Sequence, residues 1–144
     1  MPRLSSQAGG AKRRAPLKVD ELVSTAVRER NRPMSAYDLV EHLASQGEKV
    51  APQQVYRSLG RLCSEGAVRR IESLHAYCAG GEDGGAILYC ERCGALRFPS
   101  VAHLADALRE HAQGAGFSTS RAVIELCGLC EQCSSAPSAW EEYQ

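Results

Sequence analysis

Apolar residues recur at intervals of three and four from Leu17 to Glu29, with Leu22, Val23, Ala26 and Val27 on one side. That spacing predicts a helix, broken at Asn31-Arg32-Pro33. Ser35 opens a second helix, with Asp38 three residues later as a short carboxylate version of a capping box. Tyr37, Leu39, Val40 and Leu43 form its expected buried stripe, and Gly47 stops it. Ala51-Pro52 opens a third helix, with Pro52 in the first turn, where a missing donor costs nothing. Val55, Leu59 and Leu62 mark its core face, and Gly66 ends it. From Ala67 to Ala79 a loose alternation of Val68, Ile71, Leu74 and Tyr77 predicts strand, turn and strand. Three helices followed by a β-hairpin make a winged helix-turn-helix over residues 17–79, with the Pro52–Ser64 helix as its reading element.

The period then changes. A Gly-rich acidic turn at 82–85 marks a hinge over residues 80–86. Ile87–Cys90 and Ala95–Phe98 read as a short hairpin. Val101–Ala112 reads as an amphipathic helix, with Leu104, Ala107, Leu108 and His111 on one side, and Arg121–Leu126 as a strand. Residues 87–133 therefore form a small α/β module whose sheet edge is suited to pair with a second copy. Residues 1–16, a basic arm, and 134–144, a polar tail, lack apolar periodicity and are expected to be disordered. The fold class expected is α+β, in two small domains.

Composition sharpens this picture in two places. Aromatic residues are only 6% of the 144, so each core is modest and benefits from a metal staple. The formal net charge of zero hides an asymmetry. Residues 1–73 hold 13 Lys and Arg against 8 Asp and Glu, whereas 74–144 hold 4 against 9. A basic half beside an acidic half suggests a module for a polyanion joined to something else. Seven cysteines without an apolar leader point to a reducing cytosol and metal thiolates. No apolar run is long enough to span a bilayer, so no membrane partner is expected.

The cysteines are paired. Cys90 and Cys93 flank Glu91 and Arg92, and Cys130 and Cys133 flank Glu131 and Gln132. Two such knuckles supply four sulfurs to one tetrahedral zinc per subunit, which is a closed, structural site. The alternative is two coincidental pairs, as free thiols or disulfides. Catalytic zinc needs an open position and a nearby base, and the chain has no His-Glu-x-x-His, nucleophile elbow or phosphate loop. Neither an enzyme nor a small organic substrate is expected. On the third helix, Gln53, Gln54, Tyr56, Arg57 and Arg61 project away from the core positions. Amides, a phenol and arginines suit phosphates and base edges of double-stranded DNA, where an ordinary surface helix would carry mixed Lys and Glu. A zinc-stapled interaction module without DNA binding is the competing class.

Taken together, these residues resemble the ferric uptake regulator family, closest to its zinc uptake regulator branch. The matches are Ser35-Ala-Tyr-Asp-Leu39, Val55-Tyr56-Arg57 with Leu59, Glu65-Gly66, Ile71-Glu72-Ser73, Cys90-Glu-Arg-Cys93-Gly94, Gly116-Phe117, Val123-Ile124-Glu125 and Gly128-Leu129-Cys130 with Cys133. The resemblance implies a homodimeric, metal-responsive transcriptional repressor controlling zinc homeostasis genes. Winged-helix domains would lie outside and α/β dimerisation domains between them. Zinc at Cys90, Cys93, Cys130 and Cys133 would be structural, and a second zinc at the hinge would act as corepressor on palindromic operators. Tyr56 and Arg57 match the family's DNA-contacting pair.

The chain departs from the family at the regulatory site. Positions matching the branch's ligands are Arg69, the short Gly80–Gly85 loop and Phe98. Substitute ligands are His75, Cys78, Asp83, His103 and Cys127, with Glu82 also in the loop. His75 and Cys78 would fall on opposite faces of a strand unless the chain turns at Ala76 and Tyr77. If these residues do not form a site, the chain is a relative with an altered corepressor site. It would then respond to another metal or a redox signal, or bind DNA constitutively. Cys63 is expected as apolar packing, and His42 and His111 as surface residues.

Overall fold

The computed structural model describes residues 15–81 and 85–136. Helix α1 spans Pro16–Arg30, α2 Ala36–Ser45 and α3 Pro52–Ser64. Strands β1 (Val68–Ile71) and β2 (Ala76–Ala79) pair antiparallel as the wing, in the register Val68 to Ala79 and Ile71 to Ala76. Strands β3 (Ile87–Cys90) and β4 (Leu96–Arg97) form an antiparallel pair. Helix α4 (Ala102–Gly114) then leads to β5 (Glu125–Gly128), which lies parallel to β3, and a short α5 follows (Glu131–Ser134). The second sheet has the order β4-β3-β5. The chain is an α+β protein with a winged helix before a small α/β module.

Local signals explain the helix ends. Asn31 closes α1 in the left-handed region at φ 46°, a conformation that asparagine tolerates better than most residues. At the start of α2, Ser35 Oγ accepts from the Asp38 amide at 3.1 Å, and Asp38 Oδ2 accepts from the Ser35 amide at 2.8 Å. The expected capping box is formed in full. Pro52 occupies the first turn of α3.

The first core lies among the three helices and is lined by Val19, Val23, Leu39, Leu43, Val55 and Leu59, each at most 1% exposed. Burial on this scale stabilises by about 1.5–3 kcal/mol per side chain. Tyr37 does not join it. The inward positions of α2 are Ala36, Leu39 and Leu43, at helical spacing, so Tyr37 is rotated outward and is 68% exposed. The preceding turn joins the wing: Met34 and Tyr77 exchange two backbone hydrogen bonds of 2.9 and 2.8 Å. The wing closes at Gly80, whose amide donates to Ala67 O in the turn after α3. A Cβ at Gly80 would lie 2.0 Å from Gly66 O, so only glycine fits.

The second core is small and bridges the two modules. Ile71 and Cys78 from the wing meet Ile87 from β3, with Leu74 and Leu96 against them. One expectation about the second module changes. The last strand begins at Glu125 rather than Arg121, because pairing with β3 starts only where Ile87 donates to Ile124 O. The apolar side of α4 is not buried within the chain: Leu104 and Leu108 are each 49% exposed, and Ala105 is the buried position. The arm expected at 1–16 falls, up to residue 14, outside the described residues; so do 137–144 of the tail, and Asp83 with Glu82.

Candidate metal centre and nucleic-acid interface

The two knuckles meet because β3 and β5 run side by side. Cys90 ends β3 opposite Gly128, and the chain after Gly128 turns back over it. Glu91 donates its amide to Gly128 O at 2.8 Å. In the first knuckle Gly94 turns at φ 75° and donates to Cys90 O; in the second, Cys133 and Ser134 donate to Cys130 O. Arg92 clips the two together by donating from Nη1 to Cys133 O at 2.6 Å.

Four ligand atoms result, the sulfurs of Cys90, Cys93, Cys130 and Cys133, all within 4.8 Å of one another. A tetrahedron with zinc–sulfur bonds of about 2.3 Å has edges of about 3.8 Å. The Cys93 and Cys130 sulfurs are 3.8 Å apart. The donor set therefore fits a closed four-thiolate zinc, and all seven cysteines are free of disulfides. Cys90 Sγ accepts from the Cys130 amide at 3.3 Å, which with other amides of the first knuckle draws its thiol down to about 6. Burial and the neighbouring thiols push Cys133 up to about 12. Cys90 is the buried member of the four.

On α3, Val55, Ser58, Leu59 and Leu62 face inward. Gln53, Tyr56 and Arg57 are exposed, Tyr56 at 60%. The other two residues expected to read DNA are engaged elsewhere. Gln54 Oε1 accepts from the Ala51 amide at 3.4 Å, at the helix start. Arg61 makes a bidentate pair with Asp20 of α1, with Nε to Oδ2 at 3.0 Å and Nη2 to Oδ1 at 2.7 Å. The guanidinium holds the Asp20 carboxyl below its usual range. Asp20 was not singled out from sequence, and a single carboxylate on a helix carries no sign of a partner 41 residues away.

No protein-family profile matches the chain. A zinc uptake regulation protein of Mycobacterium tuberculosis (strain ATCC 25618 / H37Rv) is 30% identical over 106 residues, which cover 70% of this chain and 80% of that relative. The chain belongs to the ferric uptake regulator family. It lies near the zinc uptake regulator branch. The zinc uptake regulation protein of Escherichia coli (strain K12) is 32% identical over 105 residues, or 69% of this chain, and the match spans 61% of that relative's length. Among solved structures, holo XcZur superposes with a TM-score of 0.74 at 27% identity, covering 82% of this chain and 85% of that one. A zinc uptake regulator complexed with zinc and DNA superposes with a TM-score of 0.70 at 30% identity, covering 92% and 83%.

In this member of the family the candidate regulatory ligands are scattered. Among the described residues, the only group of three or more metal-ligating side chains is the four-cysteine one. The chain turns before Ala76, through a 3₁₀ turn at Glu72–Leu74, and His75 sits at φ 49° with Nδ1 3.3 Å from Arg70 Nη2. Cys78 points into the bridging core at 1% exposure, and burial pushes its thiol up to about 11. His103 and Cys127 are exposed on α4 and β5. Cys63 is half-buried against the first core, and His42 is half-buried with Nε2 shielded, where a surface residue was expected.

Two residues at the module junction escaped the sequence reading as structural groups. Glu125, at the head of β5, accepts from the Glu72 and Ser73 amides at 2.6 and 2.9 Å. Burial opposes its charge, but those amides prevail and hold the carboxyl below its usual range. Arg69, on the wing, donates to Gly85 O at 2.8 Å and lies over the Phe98 ring, 5.6 Å from its centroid. The one available signal was a carboxylate inside the apolar run Val123-Ile-Glu-Leu126, an odd place for a charge without a partner.

Proposed function

We propose that this chain is a zinc-responsive DNA-binding transcriptional repressor of zinc homeostasis genes, acting as a cytoplasmic homodimer on palindromic operators. The observation that carries this reading is the outer face of α3. There Gln53, Tyr56 and Arg57 stand exposed on a helix packed firmly on its other side. A helix so mounted presents donors, an aromatic ring and a cation to a major groove. The basic first half supplies the attraction to phosphate.

Zinc held by Cys90, Cys93, Cys130 and Cys133 supplies four thiolate bonds that close the two knuckles. The chain's own groups do the rest. Arg92 joins the knuckles, and the pairing of β3 with β5 carries their order to the wing. A second copy is the partner that suits the second module. Strand β5 lies at the edge of its sheet with Leu126 and the following Leu129 exposed, and Leu104 and Leu108 are exposed on α4. Pairing there would set two α3 helices against successive half-sites about one helical turn apart. No helix of the described residues is long and apolar enough to cross a membrane.

The test is duplex selection from a random-sequence pool with the zinc-loaded full chain, followed by footprinting and repetition after chelation. The expected result is a palindromic site protected by a dimer and lost on chelation. Absence of any selected sequence, or equal binding with and without zinc, would overturn the reading.

A further inference from the structure

The wing and the metal module are joined by protein groups that reach across in both directions. From the wing, the Arg69 guanidinium crosses to the Gly85 carbonyl and the face of Phe98. Its Nη1 is shielded from solvent, and a Cβ on Gly85 would lie 3.8 Å from it. From the metal module, Glu125 reaches back to the Glu72 and Ser73 amides in the turn of the wing, and Arg121 pairs with Glu72 at 3.2 Å. Between these arms sit Ile71, Cys78 and Ile87. Arg69 and Glu125 are each a charged group fastened to backbone, the stronger and more directional kind of hydrogen bond.

We infer that Arg69 and Glu125 form a fixed clasp that sets the wing's orientation on the metal module by protein groups alone, so that duplex affinity follows loading of the four-cysteine site and gains nothing from metal at the hinge. This rests on the DNA-binding reading above. Two physical arguments support it. Among the described residues the Arg69 guanidinium at the junction disfavours a dication beside it, the Glu125 carboxylate is already taken by two amides, and the Cys78 thiol is committed to apolar packing. The strands also connect the clasp to the knuckles. Strand β3 runs from Ile87 in the junction to Cys90, and β5 from Glu125 to Gly128, two residues before Cys130. Closing the knuckles at one end orders the strand pair whose other end holds the wing. A ligand shifts such an equilibrium only by its differential affinity, and the four-thiolate site has that coupling built in.

The experiment titrates zinc into the full chain, wild type and the variants Arg69→Met and Glu125→Gln, with a duplex selected as above. It reads bound zinc per subunit, duplex affinity and backbone amide exchange. Wild-type affinity is expected to rise up to one equivalent and stay level beyond it. In Glu125→Gln, the Glu72 and Ser73 amides should exchange roughly tenfold faster while those of α1–α3 are unchanged, since a bond to a charged acceptor is weakened to a neutral one. Arg69→Met should weaken duplex binding about tenfold at full loading of one zinc, the scale of one charge-assisted bond. A further rise of tenfold or more on a second equivalent in the wild type would overturn the clasp. So would unchanged exchange in Glu125→Gln. If no duplex binds at any loading, the DNA-binding reading fails, and the exchange data alone decide the clasp.

Discussion

Arg57 and Arg61 stand one turn apart on α3, yet the structure gives them different work. Arg57 is exposed, whereas Arg61 is held by both oxygens of Asp20. If Arg57 meets a phosphate, Arg57→Gln removes one released counterion per subunit. The slope of log affinity against log salt then falls by about 0.9, or about 1.8 in a dimer. Between roughly 50 and 200 mM salt, a slope lower by about 1.8 changes relative affinity about twelvefold. Arg61→Gln should leave that slope within about 0.3 per subunit, because its charge is already spent on Asp20. It should instead lower the thermal midpoint, since α3 loses its polar tie to α1. Asp20→Asn should lower the midpoint similarly, and the double variant should cost less than the sum. The assay is fluorescence anisotropy across a salt series, paired with calorimetry. Equal slope losses for the two arginine variants, with the midpoint of Arg61→Gln unchanged, would refute the division of roles.

Leu59→Ala, at a position 1% exposed, should cost about 2–5 kcal/mol by denaturant melts; a loss well under about 1 kcal/mol would show that the first core collapses freely around the site. Cys130→Ser should abolish tight zinc binding by mass spectrometry and erase amide protection over residues 87–90 and 125–128, with α1–α3 still protected; retained zinc would show that the fourth sulfur is dispensable. Asp20 and Asp38 both have carboxyls held below the usual carboxylate range, the first through Arg61 and the second through Ser35. A depressed folded value means that their stabilisation is present above the unfolded pKa and lost as pH falls through the folded one. Melts should therefore stay level from neutral pH down to about 5 and decline below it. Ser35→Ala should cost about 1 kcal/mol near neutrality. A wild-type curve that instead improved on acidification would contradict the assigned sign.

What was legible in the sequence is what depends on neighbours within a few residues. The capping box of Ser35 and Asp38, Pro52 at the head of α3 and the two Cys-x-x-Cys knuckles each fix local geometry with groups no more than three apart. Even there, a period yields a face only to within one position, so Tyr37, expected in the buried stripe, lies outside it. Partners at a distance left no such mark. Arg61 and Asp20 are 41 residues apart, and Glu125 and Glu72 are 53 apart. In the sequence each is simply a charge on a helix or strand. Their engagement changes the functional reading more than any helix boundary does. Arg61 is tied to Asp20 beside the face proposed to read DNA, and at the junction of the two modules a guanidinium and a carboxylate are bound to backbone. A helix face predicts which residues are available for function only after the residues its own fold has claimed are subtracted. In this chain that subtraction leaves Gln53, Tyr56 and Arg57 exposed on α3, the face proposed above to read DNA.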